Sequence, residues 1–136
     1  LNKNAANILK QFNPSAVTDI SGFGLLGHLK EVCENSKVTA EIEFSKLKFL
    51  PGVHSLASSG VIPGGTRRNY DYVKAFCEFN STLSTLDHLL ASDAQTSGGL
   101  LITLNETEAR EFMHSYEDSA LIGIIKPKSE KLINII

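Results

Sequence analysis

Little in these 136 residues invites an extracellular, membrane-spanning or nucleic-acid-binding reading. Cysteine occurs only twice, at Cys33 and Cys77, far apart and in apolar-periodic surroundings, with no second pair to build a metal knuckle. Both read as reduced core residues, which points to a cytoplasmic protein. No run approaches the ~18 apolar residues of a membrane span, and the N-terminus has neither the apolar block nor the small-residue cleavage site of a signal peptide. No membrane partner is expected. Lys and Arg total 13 against 15 Asp and Glu, and the basic residues are scattered except at Arg67-Arg68. With a net charge of −2 there is no basic excess for nucleic acid, which is not an expected partner. A chain that is 42% hydrophobic and 21% charged fits one globular domain able to fold without staples. It begins at Leu1 rather than Met, which suits a piece of a longer protein, a processed chain or a trimmed one alike.

What is present is concentrated first in Thr18 to His28, TDISGFGLLGH, where one carboxylate stands just before a glycine-punctuated entry into an amphipathic helix. Gly22 and Gly24 permit close backbone approach to a ligand, and the first N–H groups of a helix lack intrahelical partners and favour an anion such as phosphate. A carboxylate beside a phosphate is repulsive unless a hard cation lies between, and Mg²⁺ is commonly held by one or two carboxylates plus phosphate oxygens. Asp19 is therefore a candidate metal ligand. The competing assignment is that Asp19 or Ser21 merely caps the helix.

Around that stretch, apolar spacing predicts a first helix over about Asn4 to Phe12, stopped by Asn13-Pro14, and a second carrying Leu25, Leu26, Leu29, Val32 and Cys33 and ending near Asn35-Ser36. Val38 to Ser45 changes to a period of two, a half-exposed strand with Val38, Ala40, Ile42 and Phe44 on one face. Pro51 and Gly60 bracket a third short helix. Pro63-Gly64-Gly65-Thr66-Arg67-Arg68-Asn69 is too rich in Gly and Pro for an element interior and is expected to be a loop, either plain surface or one meeting an anionic ligand or a neighbouring domain. Tyr70 to Ala91 reads as two helical pieces split near Asn80-Ser81. Asp93 to Gly99 is a tight loop delivering into Leu100-Leu104, whose continuous apolar run predicts a central strand covered on both faces. Asn105 and Glu108 make a capping-box-like start to a helix directing Ala109, Phe112, Met113 and Tyr116 inward. Ala120 to Lys126 and Leu132 to Ile136 then read as an antiparallel hairpin joined by Pro127 to Glu130.

Other chemistry finds less support. His28, His54, His88 and His114 each fall in a predicted helix without a partner at ligand spacing, the pattern of surface or hydrogen-bonded packing histidines. Ser97 lacks the Gly-x-Ser-x-Gly setting of a nucleophile elbow, Gln95 standing two residues before it. Gly22-Phe23-Gly24-Leu25-Leu26-Gly27 matches G-x-G-x-x-G, but neither a strong preceding strand nor an acidic residue in the right context supports a dinucleotide site.

Three segments in this order and spacing, TDISGFGLLGHLKEV (Thr18 to Val32), VIPGGTRRN (Val61 to Asn69) and DAQTSGGLLI (Asp93 to Ile102), resemble the C-terminal domain of the selenophosphate synthetase (selenide, water dikinase) family. That family is related to aminoimidazole ribonucleotide synthetase. The resemblance spans essentially the whole chain and implies an α+β domain, a mixed β-sheet with helices layered on it and partly ferredoxin-like. It implies a cytoplasmic two-domain transferase, a homodimer at full length, that converts ATP and selenide to selenophosphate, AMP and phosphate. Residues 1–136 would be its second domain. The reactive Cys or selenocysteine, the essential Lys and most Mg²⁺-holding aspartates are implied for the N-terminal domain, so no catalytic residue is assigned here. The family's metal-ligating Asp of the second domain matches Asp19, and Gly22, Phe23 and Gly24 of the same motif become candidate contacts to ATP. The alternatives are the C-terminal domain of a related purine-pathway ATP-using synthetase, and a stand-alone domain binding a nucleotide or partner without catalysis.

Overall fold

The computed structural model describes residues 2–136. Helix α1 (Lys3–Leu9) leads to strand β1 (Ala16–Asp19), helix α2 (Gly24–Ser36), strand β2 (Val38–Ile42) and a 3-10 turn at Phe44–Lys46. Helices α3 (Val53–Ser58) and α4 (Gly64–Val73), strand β3 (Cys77–Phe79) and helix α5 (Thr85–Ala91) follow. Strand β4 (Leu100–Thr103), helix α6 (Glu106–Ser115) and strands β5 (Gly123–Pro127) and β6 (Ile133–Ile135) complete an α+β chain. The strands form a mixed four-stranded sheet, ordered β3-β6-β2-β5, and a separate antiparallel ribbon of β1 and β4.

The main core forms where the apolar stripe of α2 meets the sheet. Leu26, Leu29 and Cys33 are buried against Ala40 and Ile42 of β2, Ile133 and Ile135 of β6, and Val73 and Cys77. Lys37 closes α2 in the left-handed conformation at φ 55, turning the chain straight into β2. A second cluster joins Ala5 and Leu9 of α1 to Phe112 of α6, with Phe12 set edge-on to Phe112 at 5.5 Å. Leu100 and Ile102 pack on this cluster, whereas Leu101 faces the main core. The continuous apolar run of β4 thus has a cause: each face meets a different apolar cluster. It is nevertheless not a central strand, since among the described residues its only strand partner is β1.

The expected hairpin of the last two strands is not formed. β5 runs antiparallel to β2 and β6 runs parallel to it, so β2 lies between them. Buried Thr39 holds the connection as it crosses the end of β2: its hydroxyl accepts from Ser129 N–H at 2.9 Å and donates to Lys131 O at 2.9 Å. Both edges of β2 are thereby paired, and β6 also pairs with β3 on its other side.

Three further expectations fail for identifiable reasons. Gly64 to Asn69 is helix rather than loop, with Pro63 as its N-cap residue. Pro63 carries no N–H to lose, the glycines occupy the weakly constrained first turn, and Thr66, Asn69 and Val73 bury one face at helical spacing. Cys77 to Phe79 is a strand, captured by the edge of β6. β2 stops at Ile42, before the 3-10 turn. A fourth expectation, Met113 directed inward, also fails, since Met113 is 37% exposed, and the four-residue Ala16–Asp19 strand is too short to announce itself by periodicity.

Candidate functional site

The three sequence motifs converge on one turn. β1 ends at Asp19, and the chain then passes through Ser21, Gly22 and Phe23 into α2. Hydrogen bonds from both other motifs hold that turn. Asn69 of α4 donates from Nδ2 to Gly22 O at 2.9 Å, and Gln95 N–H donates to Ser21 O at 3.2 Å. Ile20 N–H reaches Gly99 O at 3.0 Å while Gly98 N–H reaches Ile20 O at 3.0 Å. Thr66 of α4 in turn donates from Oγ1 to the Asp93 carboxylate. Thr66 and Asn69 are buried, so each polar group there needs its partner.

Asp19 lies in an extended strand, not at a helix start, and its carboxylate is exposed. The N-cap residue of α2 is Phe23, with no side-chain cap hydrogen bond. Neither Asp19 nor Ser21 therefore caps the helix, and the capping assignment is corrected. The Ser21 side chain instead meets His28, whose Nε2 accepts from Ser21 N–H at 3.2 Å and lies 3.1 Å from Ser21 Oγ. His28 acts here as a positioning group for the turn.

The candidate cofactor contacts divide. Gly22 is exposed, and a β-carbon there would meet nothing within 4 Å. Phe23 is 63% exposed, with its ring edge-on to His28 at 6.1 Å. Gly24 is buried at φ +69, and a β-carbon on it would overlap the Asp93 carbonyl oxygen. Its glycine is required by chain packing, so the surface left open to a ligand is formed by Asp19, Gly22 and Phe23. Arg67 and Arg68 are exposed in the first turns of α4.

Groups outside this surface have structural assignments. His88 stacks on Phe79 at 4.1 Å and places Nδ1 3.2 Å from Tyr70 Oη, His54 is edge-on to Phe49, and His114 is exposed. Cys33 and Cys77 are buried and free. Burial pushes both thiols up, Cys77 to about 12, which suits packing and not nucleophilic chemistry. The sequence pattern does not distinguish Asn69 and Thr66 within the Pro63–Asn69 run. Their signal was the i, i+3 spacing within a stretch whose Gly and Pro content hid a helix.

Comparison with known proteins places the chain in a family. Residues 2–133 match the family model described as AIR synthase related protein, C-terminal domain. Relatives named "Selenide, water dikinase" include one from Aliarcobacter butzleri, 40% identical over 99% of this chain and 40% of its own length. Another, from Clostridioides difficile, is 37% identical over the whole chain and 40% of its own length. A third, from Campylobacter jejuni, is 43% identical over 87% of the chain and 33% of its own length. The chain spans about two fifths of the length of the first two. With the three motifs gathered on one turn and nearly every residue matched, the chain belongs to the family of AIR synthase related protein C-terminal domains.

Proposed function

We propose that these residues form the C-terminal domain of a longer, two-domain, ATP-dependent enzyme that makes selenophosphate, AMP and phosphate from ATP and selenide, with Asp19 supplying one Mg²⁺ ligand. The observation that carries the reading is the exposed Asp19 carboxylate beside the Gly22–Phe23 turn, a turn held rigid by hydrogen bonds from all three motifs. The names of the relatives supply the reaction class.

Among the described residues there is no group of three His, Cys, Asp or Glu that could hold a metal. A single hard carboxylate is nonetheless what a Mg²⁺ shared with ATP phosphates asks of a second domain, because phosphate oxygens, waters and other carboxylates complete its shell. When bound, Mg²⁺ neutralises charge on the phosphates. The chain's own residues do the rest: β1 fixes the Asp19 backbone, Asn69 and His28 fix the turn, and Gly22 and Phe23 present an uncluttered surface to the nucleotide. Selenide chemistry itself is assigned to the remainder of the protein.

The test uses full-length enzyme. Asp19→Asn preserves size and removes the negative ligand, so selenide-dependent ATP turnover should fall by roughly two orders of magnitude, the scale of losing one preorganised electrostatic group. Added Mg²⁺ should recover part of the loss, with the unfolding curve unchanged. Equal turnover at low Mg²⁺ sinks the assignment. A purine-pathway synthetase is the second reading, favoured by the breadth of the matched family. ATP cleavage independent of selenide would select it.

A further inference from the structure

A groove of about 960 Å³ runs between β4 on one wall and the Ala120–Ile125 stretch containing most of β5 on the other. Among the described residues β4 pairs only with β1 and β5 only with β2, which leaves each with an unpaired edge. Hydrogen-bond alternation shows which groups those edges carry. Ile20 N–H bonds to Gly99 O, so odd-numbered residues of β4 address β1, and the N–H and C=O of Leu100 and Ile102 point away from it. Glu43 N–H bonds to Ile122 O, so even-numbered residues of β5 address β2, leaving Gly123 and Ile125 directed outward. Backbone groups along an apolar groove are costly without partners, and two open edges are a template for an added strand.

We infer that an extended segment of the polypeptide preceding residue 2 lies in this groove as a strand, hydrogen-bonded to Leu100 and Ile102 on one wall and to Gly123 and Ile125 on the other. The inference rests on the proposed reading only in requiring that such polypeptide exists. Two observations select this occupant. The relatives are about 2.5 times as long as the stretch they share with this chain, and the matched family model is a C-terminal domain, which leaves ample chain upstream. Asn2 itself lines the groove, its Nδ2 donating to Gly98 O at 3.0 Å, so the described chain starts beside it. Closeness of that kind raises effective concentration without any added affinity. Main-chain bonds would hold about five residues, the usual strand length, and exposed Leu121, Ile124 and Ile125 would be covered or flanked by its side chains.

Hydrogen exchange resolved to single amides on the full-length protein tests this. Slow exchange is expected at Leu100, Ile102, Gly123 and Ile125, together with a co-protected upstream stretch of about five residues, at every protein concentration. Ile125→Pro removes a groove-facing N–H without breaking a bond to β2, and should speed exchange in the upstream stretch at least about tenfold. Fast exchange at the four amides overturns the inference. So does protection that grows with protein concentration, which means a second copy, or protection with no upstream partner, which means the two edges have closed on each other. ATP turnover on the same sample separates the two readings: active enzyme with unprotected edges sinks the strand alone, while protected edges in an enzyme without selenide-dependent turnover sink the activity alone.

Discussion

Two glycines in one turn answer to opposite constraints. Gly24 combines φ +69 with a site where a β-carbon would overlap the Asp93 carbonyl, whereas Gly22 faces open space. Gly24→Ala should therefore cost at least about 2 kcal/mol, from left-handed strain plus displacement of the loop that follows α5. Gly22→Ala should leave stability within about 0.5 kcal/mol of the parent, as for other surface changes. Denaturant unfolding of the two variants checks this; equal destabilisation would mean that Gly24 is not held against Asp93. The contrast is one of exposure as well, Gly22 lying at the surface and Gly24 buried. Sequence alone treats the pair alike. The neighbour that separates them, Asp93, lies 69 positions further along the chain.

Helix α5 shows what a local signal can do when local structure obeys it. Ser84 accepts from Asp87 N–H at 3.2 Å, and the Asp87 carboxylate accepts from Ser84 N–H at 2.8 Å, a reciprocal capping box. The Ser84 hydrogen bonds hold the Asp87 carboxyl below its ordinary value. A carboxyl depressed in the folded state adds stability above its unfolded pKa, and loses it as the pH falls through the folded pKa. Ser84→Ala should thus cost about 1 kcal/mol at neutral pH. That gap should shrink below the usual carboxylate range, where Asp87 is protonated in both proteins. Chemical denaturation at neutral and strongly acidic pH is the measurement, and a pH-independent gap would contradict the reciprocal bond. At the start of α6, Asn105 caps Glu108 N–H at 3.0 Å as expected, but the Glu108 carboxylate turns to Asn105 Nδ2 and to Asn13. Helix α4 is the opposite case, since its Gly-Gly start opposes helix formation and the buried faces of Thr66, Asn69 and Val73 override it.

At the scale of the molecule, no helix among the described residues is long and apolar enough to cross a membrane. The core around α2 and the four-stranded sheet is continuous, with Leu26, Leu29, Ile133 and Ile135 almost fully enclosed. The purified 136-residue chain should accordingly unfold cooperatively. It should also form AMP only at background level, because phosphoryl transfer needs metal, phosphates and nucleophile placed together, and of these groups the proposed reading puts only one metal ligand, Asp19, in this chain. Calorimetry beside an AMP assay decides it, and robust AMP formation would overturn the two-domain reading.

Residues 1–136 determined by themselves what depends on near neighbours and on side-chain type. The amphipathic stripe of α2, its end near Ser36, the left-handed exit at Gly60, the Asn105 cap and the apolar run of β4 all follow from such patterns, and so does the α+β class. So, too, do the three motifs and the singling out of Asp19. Tertiary structure alone decided which strand lies beside which, since a period of two states that a segment is extended and nothing about its partner. It set β6 and β5 on opposite edges of β2, drew Cys77–Phe79 out of a helical pattern, and left β4 with an open side. It also removed the helix-cap assignment of Asp19. A carboxylate a few residues before a helix reads as a cap until backbone geometry puts it at the end of a strand, facing outward, with another residue at the N-cap position. Partners separated by tens of residues are chosen by burial and ladder completion across the whole chain, and no local window contains that choice.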